Sequence, residues 1–518
     1  MAHSAGSKRG PPSWVFARSK FQRNGEAQPA PSFTLPPLSE EQKVIFDKIM
    51  QPGGKNNMFV TGSAGTGKSV VLQHAIQAAR ALHGDAGVAV VAPTGVAACN
   101  IRGKTLHSRF SIPIESSPQW DNWIAKPGQD GESVKRGAKH LKLTDVQYKT
   151  VAQLTGLKVI FIDEISMVET VVLRTLETLA CYAKKVVDRE KHGYAMESEV
   201  FGGIQVVMFG DFAQLPPING ELCFKSPLWS RMNPACYQLQ AIFRQNEPEL
   251  INILNAVRFA NFANPDIVAK IHALSRDITV PEGFVPTILC SRNDPADKIN
   301  IDRYAELDLP EHTYQKRDRG DDRFVKMLDS AFLTVLDILK LKIGTQVMMT
   351  RNVNVEAGLV NGAKGVVVGF VPATDPSTLE WVYGKSRVLS GETLPPVMLP
   401  EIKFLLAGKQ VVKPYDFTLR DQKDVPLATR VQLPLRYAWA ITVHKSQGMT
   451  LHFVKFDVSD ARTAGQVYVG MSRAATLDGL QVTNFNTRNV KVNQDVIDFY
   501  YNMFIKAQSP ADERAEPA

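Results

Sequence analysis

The sequence predicts an α/β protein whose parallel sheets are covered by helices on both faces, and three observations lead to this prediction. Short runs of consecutive apolar residues recur along the chain, as in strands that are buried on both sides. Segments with apolar residues at helical spacing lie between several of these runs. The 518 residues are 44% hydrophobic and 22% charged, which suits folded cores and excludes wholesale disorder.

The first block of predicted elements alternates strand and helix from residue 38 to 240, and we expect it to form one domain. The strands are predicted at Met58–Thr61, Val88–Ala92, Val159–Ile162 and Ile204–Phe209, and the helices at Val70–Leu82 and Val171–Val187. The polar, Gly- and Lys-rich stretch 111–150 breaks the alternation. We therefore expect a small insertion there, outside the sheet.

A second alternating block covers residues 241–345 and resumes at 431–507, so these two pieces are predicted to form a second domain. Between them lie short β-type segments, at Gln346–Thr350, Gly365–Val371, Val397–Leu406 and Val411–Phe417. Gly, Pro and Asp residues separate these segments. Short strands with such punctuation predict a β-barrel insertion at 346–430.

Both ends of the chain are predicted to be disordered tails, at residues 1–37 and 508–518. Six prolines interrupt the N-terminal stretch, and residues 1–25 carry five basic side chains and no acidic one. Arg-rich, acid-poor N-termini are found in mitochondrial presequences, whereas the sparse apolar residues favour a plain basic tail. A mitochondrial location stays open on this composition.

Overall composition limits the class of protein. The net charge is +8, which suits a polyanionic partner without requiring one. No apolar run approaches the ~18–20 residues needed to span a bilayer, so we expect no membrane partner. The five cysteines are scattered, and no two of them have the C-x-x-C spacing. Neither a disulfide framework nor a cysteine zinc site is therefore expected.

A nucleotide-binding motif follows the first predicted strand. The consecutive residues Gly62, Ser63, Ala64, Gly65, Thr66, Gly67, Lys68 and Ser69 fit the pattern G-x-x-x-x-G-K-[ST] between a strand and a helix. Glycines let backbone N–H groups face the phosphates, and the helix N-terminus adds its positive dipole end. Lys68 is expected to reach the β- and γ-phosphates, and the Ser69 hydroxyl is expected to bind Mg²⁺.

Two adjacent acids supply the other half of this chemistry. Asp163 and Glu164 directly follow the apolar run Val159–Ile162, at the edge where α/β sheets bind ligands. Asp163 is predicted to hold the Mg²⁺ shell, and Glu164 to act as the base for the attacking water. Adjacent acids after this strand favour ATP hydrolysis over kinase-type transfer, so the chain is predicted to be an ATPase.

Three more residues extend the predicted catalytic set. Gln214, in the segment Gly210–Pro217 after the predicted strand Ile204–Phe209, is expected near the γ-phosphate. Arg244 and Arg473 lie in the second block and could act as charge-neutralising fingers across a domain cleft. Spacing alone leaves open that both arginines are surface residues.

The motifs together resemble the ordered series of superfamily 1 helicases, most closely the Pif family. The segments that carry the resemblance are Leu38–Gln42, Gly62–Ser69, Ala92–Ala98, Asp163–Ser166, Val200–Pro217, Phe243–Gln245, Leu359–Gly365, Ala438–Gly448 and Val469–Ala474. The resemblance implies two RecA-like P-loop NTPase domains, with a small insertion in the first and an SH3-like β-barrel in the second. It also implies that Gln42 recognises adenine and that Arg244 and Arg473 are the two fingers.

The resemblance implies an ATP- and Mg²⁺-dependent enzyme that moves 5′ to 3′ on single-stranded DNA and unwinds forked duplexes and G-quadruplexes. A monomer that maintains the genome is expected, in the nucleus or the mitochondrion. Residues that match the family's strand-binding stretches are Thr94, Gly95, Thr105, His107, Thr442, His444 and Lys445. Hydroxyl, backbone and lysine contacts to phosphates suit a motor that accepts any sequence.

Several alternatives stay open on the sequence. His107 fits a structural histidine as well as a DNA contact, whereas the polar loop around His444 favours function. An RNA-directed superfamily 1 motor fits the same motifs, because the residues that read the 2′-hydroxyl are not visible in a sequence. A catalytically inactive DNA-binding relative is the other alternative. The intact Lys68, Asp163 and Glu164 count against it.

Overall fold

The structure is a computed structural model. It describes residues 35–508 apart from 52–56, 113–144, 193–198, 219, 333–334 and 421–425. Most of the predicted tail 1–37, most of the predicted insertion 111–150 and nearly all of the tail 508–518 lie outside the described residues. Elements are numbered below in chain order within the described part.

The first domain is built on a six-stranded parallel sheet. Its strands are β1 (Met58–Gly62), β2 (Val88–Ala92), β3 (Lys104–Thr105), β4 (Val159–Ile162), β5 (Gln205–Phe209) and β6 (Ala235–Leu239), in the spatial order β3-β2-β4-β5-β1-β6. Its helices are α1 (Glu40–Met50), α2 (Lys68–His83), α3 (Gly95–Asn100), α4 (Leu106–Phe110), α5 (Asp145–Leu154), α6 (Thr170–His192) and α7 (Pro227–Met232). All of the strands and helices predicted for this block are present, with ends shifted by a few residues.

Alternating side chains of the first sheet enter two separate cores. Phe59 packs in one core with helix α6, whereas Met58 and Val60 pack in the other with helices α1 and α2. A sheet that is buried on both faces requires strands that are apolar throughout, which is why these strands read as continuous apolar runs.

The second domain has a four-stranded parallel sheet. Its strands are β7 (Thr287–Cys290), β18 (Ala440–Thr442), β19 (Val454–Asp457) and β20 (Leu480–Thr483), in the order β18-β7-β19-β20. Its helices are α8 (Pro248–Arg258), α9 (Pro265–Ala273), α10 (Asn293–Ala305) and α14 (Gln466–Met471). Together the two parallel sheets confirm the α/β fold class.

An antiparallel insertion lies between β7 and β18 in the chain. Its helices are α11 (Asp322–Ala331), α12 (Pro376–Tyr383) and α13 (Lys385–Leu389). Its strands are β8 (His312–Gln315), β9 (Arg317–Gly320), β10 (Ile338–Leu341), β11 (Gln346–Met349), β12 (Lys364–Ala373), β13 (Val397–Phe404), β14 (Gly408–Val411), β15 (Tyr415–Arg420), β16 (Pro426–Gln432) and β17 (Leu435–Tyr437). They form sheets with the orders β14-β13-β12-β11-β17, β15-β16-β9 and β10-β8.

The insertion is larger than its predicted span of 346–430. Strands β8, β9 and β10 precede residue 346, yet β9 pairs with β16 and Tyr314 shares a core with Val431. The predicted segment Val411–Phe417 is wrong as a single strand, because residues 412–414 separate β14 from β15. The described residues between 312 and 345, predicted for the second domain, therefore belong structurally to the insertion.

The last described helix, α15 (Gln494–Gln508), also departs from the predicted boundaries. Its residues Val496 and Tyr500 are buried in the same core as Phe59 of strand β1, which belongs to the first domain. The prediction that 431–507 belongs to the second domain is therefore wrong for this helix. Within the described residues, no helix combines the length and the apolar character needed to cross a bilayer.

Candidate active site and nucleic-acid surface

The loop between β1 and α2 forms the phosphate-binding candidate. Lys68, at the start of α2, donates hydrogen bonds from Nζ to the carbonyl oxygens of Gly62 (2.8 Å) and Ser63 (3.0 Å). Burial lowers the pKa of Lys68, and the nearby Asp211 and Glu164 carboxylates oppose that shift. The Lys68 ammonium group is thus held beside carbonyl oxygens of the loop. A bound phosphate could replace these oxygens as its hydrogen-bond acceptor.

Two glycines of this loop are required by close contacts and by left-handed backbone angles. A Cβ on Gly67 (φ 78°) would lie 2.4 Å from Nε2 of Gln42, and a Cβ on Gly65 (φ 89°) would lie 2.6 Å from Cβ of Arg244. The segments that carry Gln42 and Arg244 therefore pack directly against the phosphate-binding loop. Ser69 is exposed in the first turn of α2, with its hydroxyl at the helix N-terminus.

Gln42 links helix α1 to the phosphate-binding loop. It forms a capping box with Ser39, and its Nε2 also donates to the carbonyl oxygen of Thr66 at 3.3 Å. The side chain is buried. The structure places Gln42 against the loop, and its contact with adenine stays a prediction.

Asp163 and Glu164 lie at the carboxyl end of β4, beside the loop. Asp163 Oδ1 accepts a hydrogen bond from the Glu164 amide (3.0 Å), and Glu164 has a left-handed φ of 51°. Burial, with the neighbouring Glu164, raises the pKa of Asp163 to about 7. Burial also raises the pKa of Glu164, whereas Lys68 and Arg473 oppose that shift. A cation bound beside these two neighbouring carboxyl groups would stabilise their ionised forms.

The two predicted fingers lie close together, because both contact Ser472. Arg473 is almost fully buried and donates to the carbonyl oxygen of Val469 (2.8 Å) and to Ser472 Oγ (2.8 Å). Burial, and then the charge of Arg244, lower the pKa of Arg473 to about 9. Burial likewise lowers the pKa of Arg244. Two guanidinium groups held side by side can bind an anionic oxygen with several N–H donors.

Arg244 was expected in the second block, but it lies in the segment that joins the two domains. The amide of the preceding Phe243 donates to the carbonyl oxygen of Gly65 at 2.8 Å, which fixes this segment against the phosphate-binding loop. Nη1 of Arg244 lies 3.4 Å from the carbonyl oxygen of Ser472, next to Arg473. The connecting segment thus carries one finger to the cleft, and helix α14 leads into the other.

Three residues that sequence reasoning did not assign tie the second domain to this site. Gln447 Nε2 donates to Glu164 Oε2 at 2.9 Å, and the Tyr468 hydroxyl accepts a hydrogen bond from the Ala64 amide at 2.8 Å. Gln245 Nε2 donates to the carbonyl oxygens of residues 472 and 474. Gln447 and Gln245 lie inside the motif segments, so only their roles were missed. Tyr468 directly precedes one of those segments.

Gln214 lies in the loop after β5, next to a buried ion pair that was not predicted. Its Nε2 is 3.4 Å from Asp211 Oδ2, and Arg258 of helix α8 contacts both carboxylate oxygens of Asp211. Burial opposes ionisation, but Arg258 and Lys68 hold the pKa of Asp211 below its ordinary value. Gly465 of the second domain approaches this loop so closely that a Cβ would lie 2.3 Å from the Gln214 carbonyl oxygen.

The residues predicted to contact the DNA strand lie where parallel strands end. Thr94 and Gly95 follow β2, Thr105 ends β3, and Thr442 ends β18. The three threonine hydroxyls accept hydrogen bonds from the amides of Ala97, Ser108 and Lys445, so they also hold their turns in place. A structural role for these hydroxyls is therefore established, and their contact with DNA stays a prediction.

Segments that adjoin the predicted strand-binding residues of the two domains contact one another at Asn100, Asn361 and Gly448. Asn100 Oδ1, at the end of helix α3, accepts from Asn361 Nδ2 of the insertion at 2.9 Å, and a Cβ on Gly448 would lie 3.2 Å from Asn100. Burial lowers the pKa of His107 and of His444. Burial also lowers the pKa of Lys445, and Arg436 adds to that shift.

Binding of a single strand should depend steeply on salt. If phosphate neutralisation supplies most of the affinity, log K should fall with log salt by about 0.7 for each phosphate contacted. Titration of unrelated single-stranded sequences over a range of salt concentrations measures this slope. A flat slope, or tight binding to one sequence alone, would show that bases and not phosphates are recognised.

Comparison with known proteins identifies the family. The model of the PIF1-like helicases matches residues 37–271, and the model of the Pif1 2B domain matches residues 324–370. The human ATP-dependent DNA helicase PIF1 is 32% identical over 493 residues, which cover 93% of this chain and 67% of that protein. The chain belongs to the Pif1 helicase family. The zebrafish PIF1 helicase is 33% identical, over 89% of this chain and 63% of its own length.

Solved Pif1 structures share the fold described above. The Pif1 helicase from Candida albicans is 34% identical with a TM-score of 0.65, over 90% of this chain and 99% of that one. A Bacteroides Pif1 in complex with ADP-AlF4 has a TM-score of 0.69 at 27% identity, over 90% of this chain and 97% of its own. Bacteroides Pif1 bound to single-stranded DNA has a TM-score of 0.56 at 26% identity, over 92% and 98% of the two chains.

The 2B-domain match also bears on the boundary of the insertion. It begins at residue 324, inside the stretch that was predicted for the second domain. That start agrees with the sheets, in which strands before residue 346 already pair within the insertion. Relative to its curated Pif1 relatives, the chain spans about two thirds of their length, 63% of the zebrafish protein and 67% of the human one.

Proposed function

We propose that this chain is an ATP-dependent DNA helicase that moves 5′ to 3′ on single-stranded DNA and unwinds forked duplexes and G-quadruplexes. The observation that carries the proposal is the cleft with cations on both sides. Lys68 of the first domain and Arg473 of the second both act on the charge of Glu164, where they oppose the rise that burial causes in its pKa. Gln447, also of the second domain, donates a hydrogen bond to the same carboxylate. A γ-phosphate bound there would be contacted from both domains, so that hydrolysis changes how tightly the domains close.

Mg²⁺ is the metal that suits the carboxylate and hydroxyl donors of this site. Asp163 and Ser69 offer one carboxylate and one hydroxyl, and Mg²⁺ in nucleotide sites takes few protein ligands beside water and phosphates. Among the described residues there is no group of three or more His, Cys, Asp or Glu side chains that could cage a metal alone. Burial, and then the charge of Glu164, raise the pKa of Asp163, and a bound cation would oppose that shift. When bound, the ion would neutralise phosphate oxygens.

The residues of the chain divide the reaction among them. The loop amides and Lys68 would bind the phosphates, and Glu164 would accept the proton of the attacking water. Gln447 donates to Glu164 and so orients its carboxylate. Arg244 and Arg473 would stabilise the charge that develops on the γ-phosphate. Their own mutual repulsion would be relieved at that moment.

The related proteins favour DNA over RNA as the strand on which this chain moves. The curated relatives are named DNA helicases, and a related Bacteroides Pif1 binds single-stranded DNA. A role in genome maintenance, monomeric action and a nuclear or mitochondrial location belong to the same proposal. The inactive alternative is disfavoured because the cleft retains Lys68, Glu164 and both arginines in position.

The test is unwinding of duplexes that carry a 5′ DNA tail, a 3′ DNA tail or a 5′ RNA tail, with and without ATP. We expect ATP-dependent unwinding of the 5′ DNA-tailed substrate only. Lys68→Ala should abolish turnover and unwinding, because it removes the side-chain cation of the loop, while binding of single-stranded DNA survives. Exposed Lys48→Ala on helix α1 is the matched control. Normal unwinding by Lys68→Ala, or preference for the RNA tail, would contradict the proposal.

A further inference from the structure

Helix α15 places one buried tyrosine behind the nucleotide site. The Tyr500 hydroxyl lies 2.8 Å from Thr61 Oγ1, 3.0 Å from the Phe212 amide nitrogen and 3.0 Å from Asp211 Oδ1. It accepts from the Phe212 N–H and donates to the Asp211 carboxylate, so the Thr61 hydroxyl is the donor in the remaining bond. One phenol thus joins the residue before the phosphate-binding loop to two residues of the Gln214 loop.

The carboxylate that Tyr500 contacts is fully buried and held by donors from three parts of the chain. Arg258 of the second domain contacts both oxygens of Asp211, and the Ala213 amide and Gln214 Nε2 complete the set within its own loop. The Arg258 guanidinium also lies 5.2 Å over the Tyr500 ring. Loss of the Tyr500 hydroxyl would therefore change the position of a charge that orients Gln214.

The packing of α15 explains how the hydroxyl is held. Phe499 stacks on Phe224 with 4.4 Å between ring centroids, and Asp495 pairs with Lys225 at 2.8 Å. Phe499 also contacts the rings of Phe212 and Trp229. All of these partners belong to the first domain, although the chain reaches α15 directly from the second. The aromatic contacts seat the helix, and the buried hydroxyl is the part of it that touches the nucleotide loops.

We infer that Tyr500 is a positioning residue of the ATPase site, which acts through Asp211 to hold the Gln214 loop in register with the phosphate-binding loop. This inference rests on the proposed ATPase function. It concerns a hydroxyl that lies outside every motif segment and that hydrogen-bonds to Thr61, Phe212 and Asp211. Its effect should therefore fall on the rate of hydrolysis and not on the binding of ATP.

The experiment compares Tyr500→Phe with Tyr501→Phe in the full chain, by DNA-stimulated ATPase kinetics. Phenylalanine keeps the ring and its packing and removes only the hydroxyl, whereas Tyr501 is exposed and serves as the matched control. We expect kcat of Tyr500→Phe to fall about 10–100-fold, the cost of a small misplacement of a catalytic group, with KM for ATP near the parent value. Tyr501→Phe should match the parent.

A double-mutant cycle with Asp211→Asn separates positioning from packing. If Tyr500 acts through Asp211, Tyr500→Phe should lower kcat little further in the Asp211→Asn background. Effects that multiply would overturn the inference, as would a Tyr500→Phe variant with the parent's kcat or with a change in KM alone. Should Tyr500→Phe fail to fold, Thr61→Val removes one of the same bonds from the other side, and an unchanged kcat there is equally decisive. A parent chain without ATPase activity would instead refute the proposed function.

Discussion

Glu164→Gln is expected to slow single-turnover hydrolysis of ATP about 10²–10⁴-fold, the usual cost of losing a general base. The amide oxygen can still accept the hydrogen bond that Gln447 donates, so the shape of the site should persist. Lys68 and the loop amides hold the phosphates independently of Glu164, and nucleotide affinity should therefore stay near normal. The variant should accumulate in an ATP-bound, closed state on DNA.

Nucleotide affinity, single-turnover hydrolysis and dissociation from single-stranded DNA together measure this result. Exposed Glu221→Gln gives the same chemical change away from the cleft and should behave as the parent. If Glu164→Gln hydrolyses ATP within about threefold of the parent, well short of general-base loss, another group takes the proton and the assignment of Glu164 is wrong.

Arg473→Ala should lower kcat by about 10³–10⁵-fold, the range for arginine fingers in phosphoryl transfer. Unlike Glu164→Gln, it should not become trapped on DNA, because Arg473 is the group through which the second domain contacts the γ-phosphate. Arg473→Lys should recover only part of the activity, since lysine keeps the charge but lacks the planar fork. Exposed Arg462→Ala, on the loop before helix α14, is the control.

The stability of Arg473→Ala makes the test sharper. In the absence of nucleotide the Arg473 guanidinium is buried beside the charge of Arg244, and its pKa is lowered accordingly. Removing a cation from such a position relieves repulsion and offsets part of the lost packing. The melting temperature should therefore stay near that of the parent, whereas kcat falls by the factor given above. Parallel losses of kcat and of melting temperature would instead indicate that Arg473 only holds the domain together.

The fold of the first domain was predictable, because a strand that is buried on both faces has apolar residues at consecutive positions. Val88–Ala92 and Val159–Ile162 are such runs, and each is followed by predicted site residues. The insertion was harder to delimit, because β9 (Arg317–Gly320) is polar and charged and reads as a loop. It becomes a strand by pairing with β16, more than a hundred residues later.

The site was predicted as far as local motifs extend. Lys68, Asp163 and Glu164 follow strands and are positioned by local geometry, so their proximity could be inferred. Arg258 and Tyr500 could not be found this way. They reach Asp211 from helices α8 and α15, and only the three-dimensional arrangement of both domains makes them neighbours.

The insertion separates strand β7 from its partner strands in the chain, and this separation fixes the order in which the two parallel sheets can form during synthesis. Strand β7 pairs with β18 and β19, so Thr287–Cys290 must wait until Ala440–Thr442 leaves the ribosome before its sheet can close. The first sheet is complete at Leu239, and folding of domains in chain order would therefore begin there. Helix α15 follows all of these strands in the chain and covers aromatic side chains of the first domain, Phe212 and Trp229 among them. Until it docks, the nascent chain would expose an apolar surface on an otherwise folded domain, which is the kind of surface that chaperones bind.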